Sequence, residues 1–150
     1  MNIKSRDLPQ HLRPAKPRPI RRIRVCSARI DPKVISALIV IPGLKLESEL
    51  NLREHWAARH QRIKKQKHLI GLHLIGKAFP ALPVKCTIVR EGPRRLDDDN
   101  AWGSAKALRD TIAAHYGVDD GGSDIQFDVV QDVAAGKYGV RIVIERTGRP

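Results

Sequence analysis

Three consecutive aspartates, Asp97, Asp98 and Asp99, are the residues of this sequence best suited to chemistry. Their carboxylates repel one another, so a cation among them would stabilise the segment. In an extended segment Asp97 and Asp99 point to the same side, about 7 Å apart, and such a pair can hold a hard divalent cation such as Mg²⁺. The alternative is helix capping, in which carboxylates offset the dipole of a helix that begins here. The sequence leaves both interpretations open.

A second acidic pair, Asp119 and Asp120, follows a predicted helix over 100–116. A helix of about sixteen residues is roughly 24 Å long, so it would hold the two acidic groups apart at its opposite ends. They can meet only if the chain doubles back after the helix or if two copies associate. The sequence does not decide between these arrangements.

Other chemical motifs are not found in the sequence. An EF-hand loop starting at Asp97 would need glycine at its sixth position, where Trp102 stands. The six histidines include no pair spaced i,i+4, so a helical zinc site is not expected. No phosphate-binding glycine loop is present, and we therefore expect no nucleotide cofactor. The two cysteines, Cys26 and Cys86, are too few for a disulfide framework, which favours a cytoplasmic location.

The chain is strongly basic, with a formal net charge of +12 over 150 residues. Residues 1–29 carry nine Lys or Arg and one acid, interrupted by prolines, so we interpret residues 1–35 as a flexible basic arm before a folded domain over 36–150. Such a charge indicates a polyanionic partner, most commonly nucleic acid, although a basic tail can also serve solubility alone. No window approaches the ~18 apolar residues of a membrane span, and no membrane association is expected.

Hydrophobic patterning predicts an α+β domain with one mixed sheet. Apolar or alternating runs at 37–41, 84–90, 124–131 and 139–146 predict four strands, with a turn at 135–137 before the last. Two main helices are predicted, one from about Leu52 to Lys77 capped by Asn51, and one over 100–116 ended by Gly117. The element order is β-α-β-α-β-β. The two helices are expected to bury apolar stripes made by Leu52, Trp56, Ile63, Ile70 and Leu74, and by Ala101, Ala105, Leu108 and Ile112.

Several segments together resemble the RusA-type Holliday-junction resolvases, in particular the branch found in phages and prophages. The resemblance covers residues 37–146 and leaves the arm outside. Its specificity comes from the combination of an aspartate-rich motif with a downstream acidic pair. The segments that carry it are Arg-Arg-Leu-Asp-Asp-Asp-Asn at 94–100, Lys-Ala-Leu-Arg-Asp at 106–110 and Gly-Val-Asp-Asp at 117–120, with further similarity at 51–56 and 138–141.

The resemblance implies a Mg²⁺-dependent endonuclease, with Mn²⁺ as the alternative ion, that resolves Holliday junctions or related branched DNA in recombination and repair. It implies that Asp97, Asp99 and Asp120 bind the metal and that Lys106 stabilises charge in the transition state, with Asp110 as the matching acid four residues beyond. In this chain an insertion at 101–105 separates Asn100 from Lys106.

The chain is also expected to contact DNA phosphates and to form a homodimer. A four-way junction is roughly two-fold symmetric and needs two cuts, so a C2 homodimer is expected. Two alternatives remain open: a non-catalytic basic DNA-binding protein that keeps the fold, and a metal nuclease that acts on other DNA structures such as flaps. The residues expected to bind DNA phosphates are Arg94, Arg95, Arg53, Arg59, Lys64, Lys65, Arg21 and Arg22.

Overall fold

Four long strands and three helices make up most of the structure, a computed structural model that describes residues 29–48, 53–133 and 136–148. Residues 1–28, most of the predicted arm, lie outside the described residues. Over the described ranges the elements are β1 (Arg29–Ile30), β2 (Ser36–Pro42), α1 (Trp56–Leu74), β3 (Ala78–Phe79), β4 (Val84–Glu91), α2 (Asp98–Ser104), α3 (Lys106–Tyr116), β5 (Ile125–Asp132) and β6 (Gly139–Arg146).

The four long strands form one mixed sheet in the order β2-β6-β4-β5. Strand β6 is antiparallel to both of its neighbours, β2 and β4, whereas β5 is parallel to β4. A second, two-stranded parallel sheet pairs β1 with β3. The predicted α+β class, with one domain and a four-stranded mixed sheet, is confirmed.

Strands β5 and β6 follow each other in the chain but are not neighbours in the sheet, because β4 lies between them. The predicted turn before β6 therefore does not close a hairpin of adjacent strands, and Ala135 in that turn lies outside the described residues. The inward residues of β6, namely Val140, Ile142 and Ile144, are fully buried, which suits a strand that is flanked on both sides.

Helix α1 is shorter than predicted and buries less of its expected stripe. It begins at Trp56, capped by His55, whose Nδ1 accepts a hydrogen bond from the backbone N–H of Ala57 at 3.3 Å. The predicted start near Leu52 is therefore wrong, and Asn51 lies outside the described residues. Ile70 and Leu74 are buried as expected, but Trp56 is 75% exposed because the buried positions of the helix lie in its second half.

The second predicted helix is two helices, α2 and α3, that meet at Ala105. Ala105 has φ −85° and ψ 0°, which departs from helical geometry. The guanidinium of Arg109 in α3 stacks on the Trp102 ring of α2, 4.1 Å from the ring centroid, and so links the two helices across the break. Gly117 ends α3 in the left-handed conformation, with φ 72°, as predicted.

The core lies between the helices and one face of the sheet. The predicted stripe of the second helix is confirmed, since Ala101, Ala105, Leu108 and Ile112 are all buried. Burial in this core raises the pKa of the Cys86 thiol to about 12. The strand side chains that form the core with the helices include Ile39, Ile41, Cys86, Ile88, Val140, Ile142 and Ile144.

Candidate functional site

The three consecutive aspartates lie at the beginning of α2. Asp97 is the N-cap residue, and Asp98 and Asp99 are in the first turn. The expectation that Asp97 and Asp99 share one side of an extended segment is wrong, because the helix starts at Asp98 and helical residues rotate by about 100° per position. The backbone carbonyl of Asp97 accepts a hydrogen bond from Ala101 N at 2.8 Å, but its side chain makes no capping hydrogen bond. The three acids therefore lie at the positions expected for helix capping, but the Asp97 side chain accepts no hydrogen bond from a backbone N–H of the first turn.

Two polar residues that the sequence analysis missed hold the loop before Asp97. The Arg90 guanidinium, only 4% exposed, donates to the carbonyls of Leu46 at 3.3 Å and of Arg94 at 2.9 Å. Burial lowers the pKa of Arg90. The side-chain amide of Gln131 makes two hydrogen bonds to the backbone of Leu96. Both residues occupy inward positions at the ends of alternating strands, and that placement was a detectable signal in the sequence.

A short chain of hydrogen bonds reaches the Asp97 carboxylate from the loop after β2. The Ser48 hydroxyl donates to Oδ1 of Asn100, and Nδ2 of Asn100 donates to Oδ2 of Asp97 at 3.4 Å. Ser48 is buried, whereas Asp97 is exposed. The motif asparagine thus orients the Asp97 carboxylate at the surface. An open cleft of about 350 Å³ lies beside it, lined by Arg95, Leu96, Asp97 and Asp98.

A second cluster of charged residues forms at the start of α3. Nζ of Lys106 lies 3.1 Å from Oδ1 of Asp110 and 3.7 Å from Oδ2 of Asp120. Oδ2 of Asp110 also accepts a hydrogen bond from Nζ of Lys67 in α1, at 2.8 Å. Two lysines and two aspartates therefore alternate in one group, which we call the α3 charge cluster. Lys67 was not singled out in the sequence.

The charges of this cluster support one another. Hydrogen bonding to Asp110 and the negative charge of Asp110 raise the pKa of Lys106, with a further contribution from Asp120. Partial burial raises the pKa of Asp110, but hydrogen bonds from Lys67 and Lys106 outweigh it and leave the value below the ordinary range. Each shift favours the charged form, so Lys106 is cationic and Asp110 anionic at neutral pH.

The chain does double back after α3, one of the two arrangements left open by the sequence. Gly117 turns the chain, the N–H of Val118 donates to the carbonyl of Ala113 at 3.1 Å, and a turn closes between Asp119 and Gly122 at 3.2 Å. This reversal returns Asp120 to the beginning of α3. Asp120 therefore reaches Lys106 without a second copy of the chain.

The predicted metal ligands are not gathered into one site. Among residues 29–48, 53–133 and 136–148, no group of three or more His, Cys, Asp or Glu side chains is close enough to share an ion. Asp97 and Asp99 stay at the start of α2, whereas Asp120 joins Lys106 in the α3 charge cluster. Carboxylate oxygens are suitable donors for Mg²⁺, but these three carboxylates are divided between two places in the structure.

The described side chains expected to bind DNA are all on the surface. Arg95 is also 3.6 Å from Asp98, an exposed ion pair worth little to stability. Helix α1 carries five Lys or Arg and no acid, and two of these bases are paired with acids outside the helix, Arg62 with Glu54 and Lys67 with Asp110. Arg21 and Arg22 lie outside the described residues. The exposed set comprises Arg53, Arg59, Lys64, Lys65, Arg94 and Arg95.

Neither the protein-family models nor the curated proteins contain a match to this chain. Within the described residues, no helix combines the length and the apolar character that crossing a bilayer requires.

Proposed function

We propose that this chain is a divalent-metal-dependent endonuclease that acts on branched DNA. One observation carries the proposal: Lys106, Asp110 and Asp120, which the resemblance to RusA-type resolvases singles out, meet in the α3 charge cluster. Asp110 lies one helical turn from Lys106, as its sequence position requires, but the contact of Asp120 with Lys106 is not required, because the rest of α3 and the turn after it separate the two residues. The meeting supports the residue-by-residue correspondence on which the resemblance rests.

In this proposal the basic residues bind phosphates and the α3 charge cluster lies at the reacting group. Lys106 is 58% exposed and pairs with two carboxylates, so its ammonium can turn to a phosphate oxygen and stabilise the charge that develops there. Lys67 would keep Asp110 neutralised when Lys106 moves. Mg²⁺, or Mn²⁺ in its place, would supply Lewis-acid chemistry when bound by Asp97, Asp99 or Asp120.

Cleavage of defined DNA structures tests the proposal. The full chain is incubated with labelled four-way, flap and linear duplexes, with Mg²⁺, with Mn²⁺ and with chelator. We expect cleavage of the four-way junction with either metal and none with chelator. Preferential cleavage of flaps would make the chain a metal nuclease of another specificity, whereas no cleavage of any structure would overturn the proposal.

A matched pair of variants locates the reaction. Asp120→Asn is expected to abolish junction cleavage while it leaves junction binding intact or tighter, because a negative charge near the phosphates is lost. Asp119→Asn is the control: it changes the adjacent acid, whose carboxylate accepts a hydrogen bond within the local turn from Gly121 N at 3.4 Å. Full activity of Asp120→Asn would remove this residue from the reaction.

The second candidate is a basic DNA-binding protein that keeps the fold without catalysis. The separation of Asp97 and Asp99 from Asp120 favours it, since the described residues hold no group of three metal-binding side chains. It predicts junction binding that does not require Mg²⁺ and no cleavage by the unaltered chain. The same assays therefore separate the two candidates.

The proposal extends to partners and location. Two symmetric cuts call for a homodimer, with one α3 charge cluster at each strand. The buried free thiol of Cys86 agrees with a reducing compartment, and we place the activity in the cytoplasm of a bacterial or phage-infected cell.

A further inference from the structure

Trp102 is an aromatic side chain exposed on α2, the helix that begins at the three aspartates. Its neighbours Ala101 and Ser104 are buried, whereas Trp102 is 42% exposed. The indole therefore leaves a flat apolar surface in contact with water. Trp102 also lies in the insertion at 101–105, so the resemblance to RusA-type resolvases assigns it no role.

A cation holds the Trp102 ring in place. The guanidinium of Arg109 lies over the ring, 4.1 Å from its centroid. Nε of Arg109 is buried and has no hydrogen-bond partner among the described residues, so stacking on the ring is what positions this end of the side chain. Because the ring is already held, a ligand that stacks on it costs less side-chain freedom than it would on a free tryptophan. We call Trp102 with Arg109 the Trp102 platform.

The Trp102 platform adjoins both parts of the candidate site. Asp98 and Asp99 precede Trp102 in α2 by four and three positions, so the three side chains lie on one side of the helix. Asp98 also lines the open cleft of about 350 Å³. At the other end, the positive charge of Arg109 is close enough to Lys106 to oppose the rise in the pKa of that lysine. The platform thus lies between the acids of α2 and the α3 charge cluster.

We propose that the Trp102 platform stacks on one unstacked nucleobase at the branch point of a DNA substrate. Every base has a flat π face, so an aromatic ring binds it without regard to sequence. The guanidinium of Arg109 and the ammonium of Lys106 can contact phosphates beside the same base. The inference deepens the proposed function, because it names the feature that distinguishes a branched from a linear substrate, and it rests on that function for its substrate.

A single platform suits one base at a branch point better than a single-stranded tract. A tract is bound by a row of aromatic rings, whereas aromatic residues make up only 4% of this chain. Taking a base out of its stack costs least where its pairing is already interrupted. A branch point offers such bases, but in a linear duplex every base is paired and stacked. The Trp102 platform would therefore favour branched over linear DNA.

Binding of the full chain to labelled DNA, with chelator present, tests the inference without cleavage. A four-way junction is compared with a linear duplex of the same strand length. Trp102→Ala is expected to weaken junction binding at least about fivefold, because the stacked base loses its ring. Duplex binding should be unchanged, since it depends on phosphate contacts. Trp102→Phe should keep most of the preference for the junction, because a smaller ring still stacks.

Trp56→Ala is the matched control. Trp56 is 75% exposed, but it begins α1 and is no part of the platform. Its replacement should leave the preference for the junction unchanged. Circular dichroism establishes which variants fold.

Tryptophan fluorescence keeps the test decisive if Trp102→Ala does not fold. The chain has two tryptophans, so Trp56→Phe leaves Trp102 as the only one. We expect the emission of Trp102 to be quenched when this variant is saturated with the junction, and to change much less with saturating duplex. Saturation removes any difference that comes from affinity alone.

Three results would overturn the inference: a chain that binds both DNA structures equally, a folded Trp102→Ala variant that keeps its preference for the junction, and equal changes in Trp102 emission with both. None of these measurements uses cleavage. A chain whose junction binding depends on Trp102 but which never cuts would fail the proposed nuclease function alone. A chain that cuts junctions with Trp102 unaffected would fail this inference alone.

Discussion

The side-chain amide of Gln131 in β5 makes two hydrogen bonds to the backbone of Leu96. Its Oε1 accepts from Leu96 N at 2.8 Å, and its Nε2 donates to the Leu96 carbonyl at 2.8 Å. Leu96 directly precedes Asp97, so the sheet edge fixes the position at which α2 and its acids begin. The amide pairs with both the N–H and the carbonyl of Leu96. It therefore supplies the hydrogen bonds that a neighbouring strand would make with this residue.

Gln131→Ala should destabilise the chain by about 1–2 kcal/mol, because two part-buried backbone groups lose their partners. Urea denaturation measures the change in the free energy of unfolding. Gln126→Ala is the control, since Gln126 lies in the same strand but is exposed on the opposite face. Equal losses in the free energy of unfolding for the two variants would show that the contact with Leu96 does not contribute to stability.

Asp110→Asn should lower stability at neutral pH, by about 1 kcal/mol or less after solvent screening, because Lys67 and Lys106 lose their shared carboxylate. The pKa of Asp110 is lowered in the folded chain. Its contribution is therefore present above the ordinary value of 3.8 and is lost as the pH falls through the folded value. Denaturation of both proteins at pH 7 and below about pH 3 should show the difference disappearing in acid.

The exposed pair Lys85 and Asp128 provides the control for that experiment. Its atoms are 3.8 Å apart and the Asp128 side chain is 50% exposed, so Asp128→Asn should change stability little at either pH. A loss for Asp110→Asn that persists in acid would contradict the assignment of its effect to charge.

Stability should fall as the pH is lowered past the ordinary histidine range, in part because of His115. This ring packs on Phe79, and neither of its nitrogens has a hydrogen-bond partner among the described residues. Burial lowers its pKa below the ordinary 6.5, so the unfolded chain takes up a proton first and acid favours unfolding. His115→Phe should therefore flatten the stability profile between about pH 8 and about pH 5.5. His68→Phe, at an exposed position, should leave that slope unchanged.

Two glycines should respond to alanine with opposite signs. Gly117 has φ +72°, where a side chain is strained, so Gly117→Ala should cost about 1 kcal/mol. Gly103 lies inside α2, and a Cβ there would meet no atom within 4 Å, so Gly103→Ala should stabilise by about 0.5–1 kcal/mol. Thermal unfolding of both variants measures this. A higher unfolding temperature for Gly117→Ala would contradict the assignment of Gly117 as the left-handed residue that ends α3.

The four long strands could be predicted because each has a clear apolar pattern of its own. Their order in the sheet could not be predicted, since β6 pairs with β2 over about a hundred residues of chain and nothing local records that choice. The break at Ala105 was also hidden, because the residues on both sides continue one helical apolar stripe. The start of α1 could not be predicted for a related reason: Asn51 is a good cap residue by type, but the sequence does not show where the core begins.

The candidate site was predictable as a set of residue types but not as a geometry. The motif drew attention to Lys106 and Asp120, and the structure brings them together. The position of Asp120 depends on the chain reversal after Gly117, which the sequence left open. Asp97 and Asp99 do not join Lys106 and Asp120, because their position is set by the start of α2. Arg90 and Gln131 were overlooked although each is a polar residue that ends an inward apolar series.

The central place of β6 has a consequence for synthesis on the ribosome. Every other strand of the sheet precedes β6 in the chain, yet β2 and β4 can be joined only through it. Until Gly139–Arg146 has emerged, a nascent chain carries two strands with unpaired edges that can associate with neighbouring polypeptides. Messages truncated before this segment should therefore yield aggregates rather than a smaller folded domain.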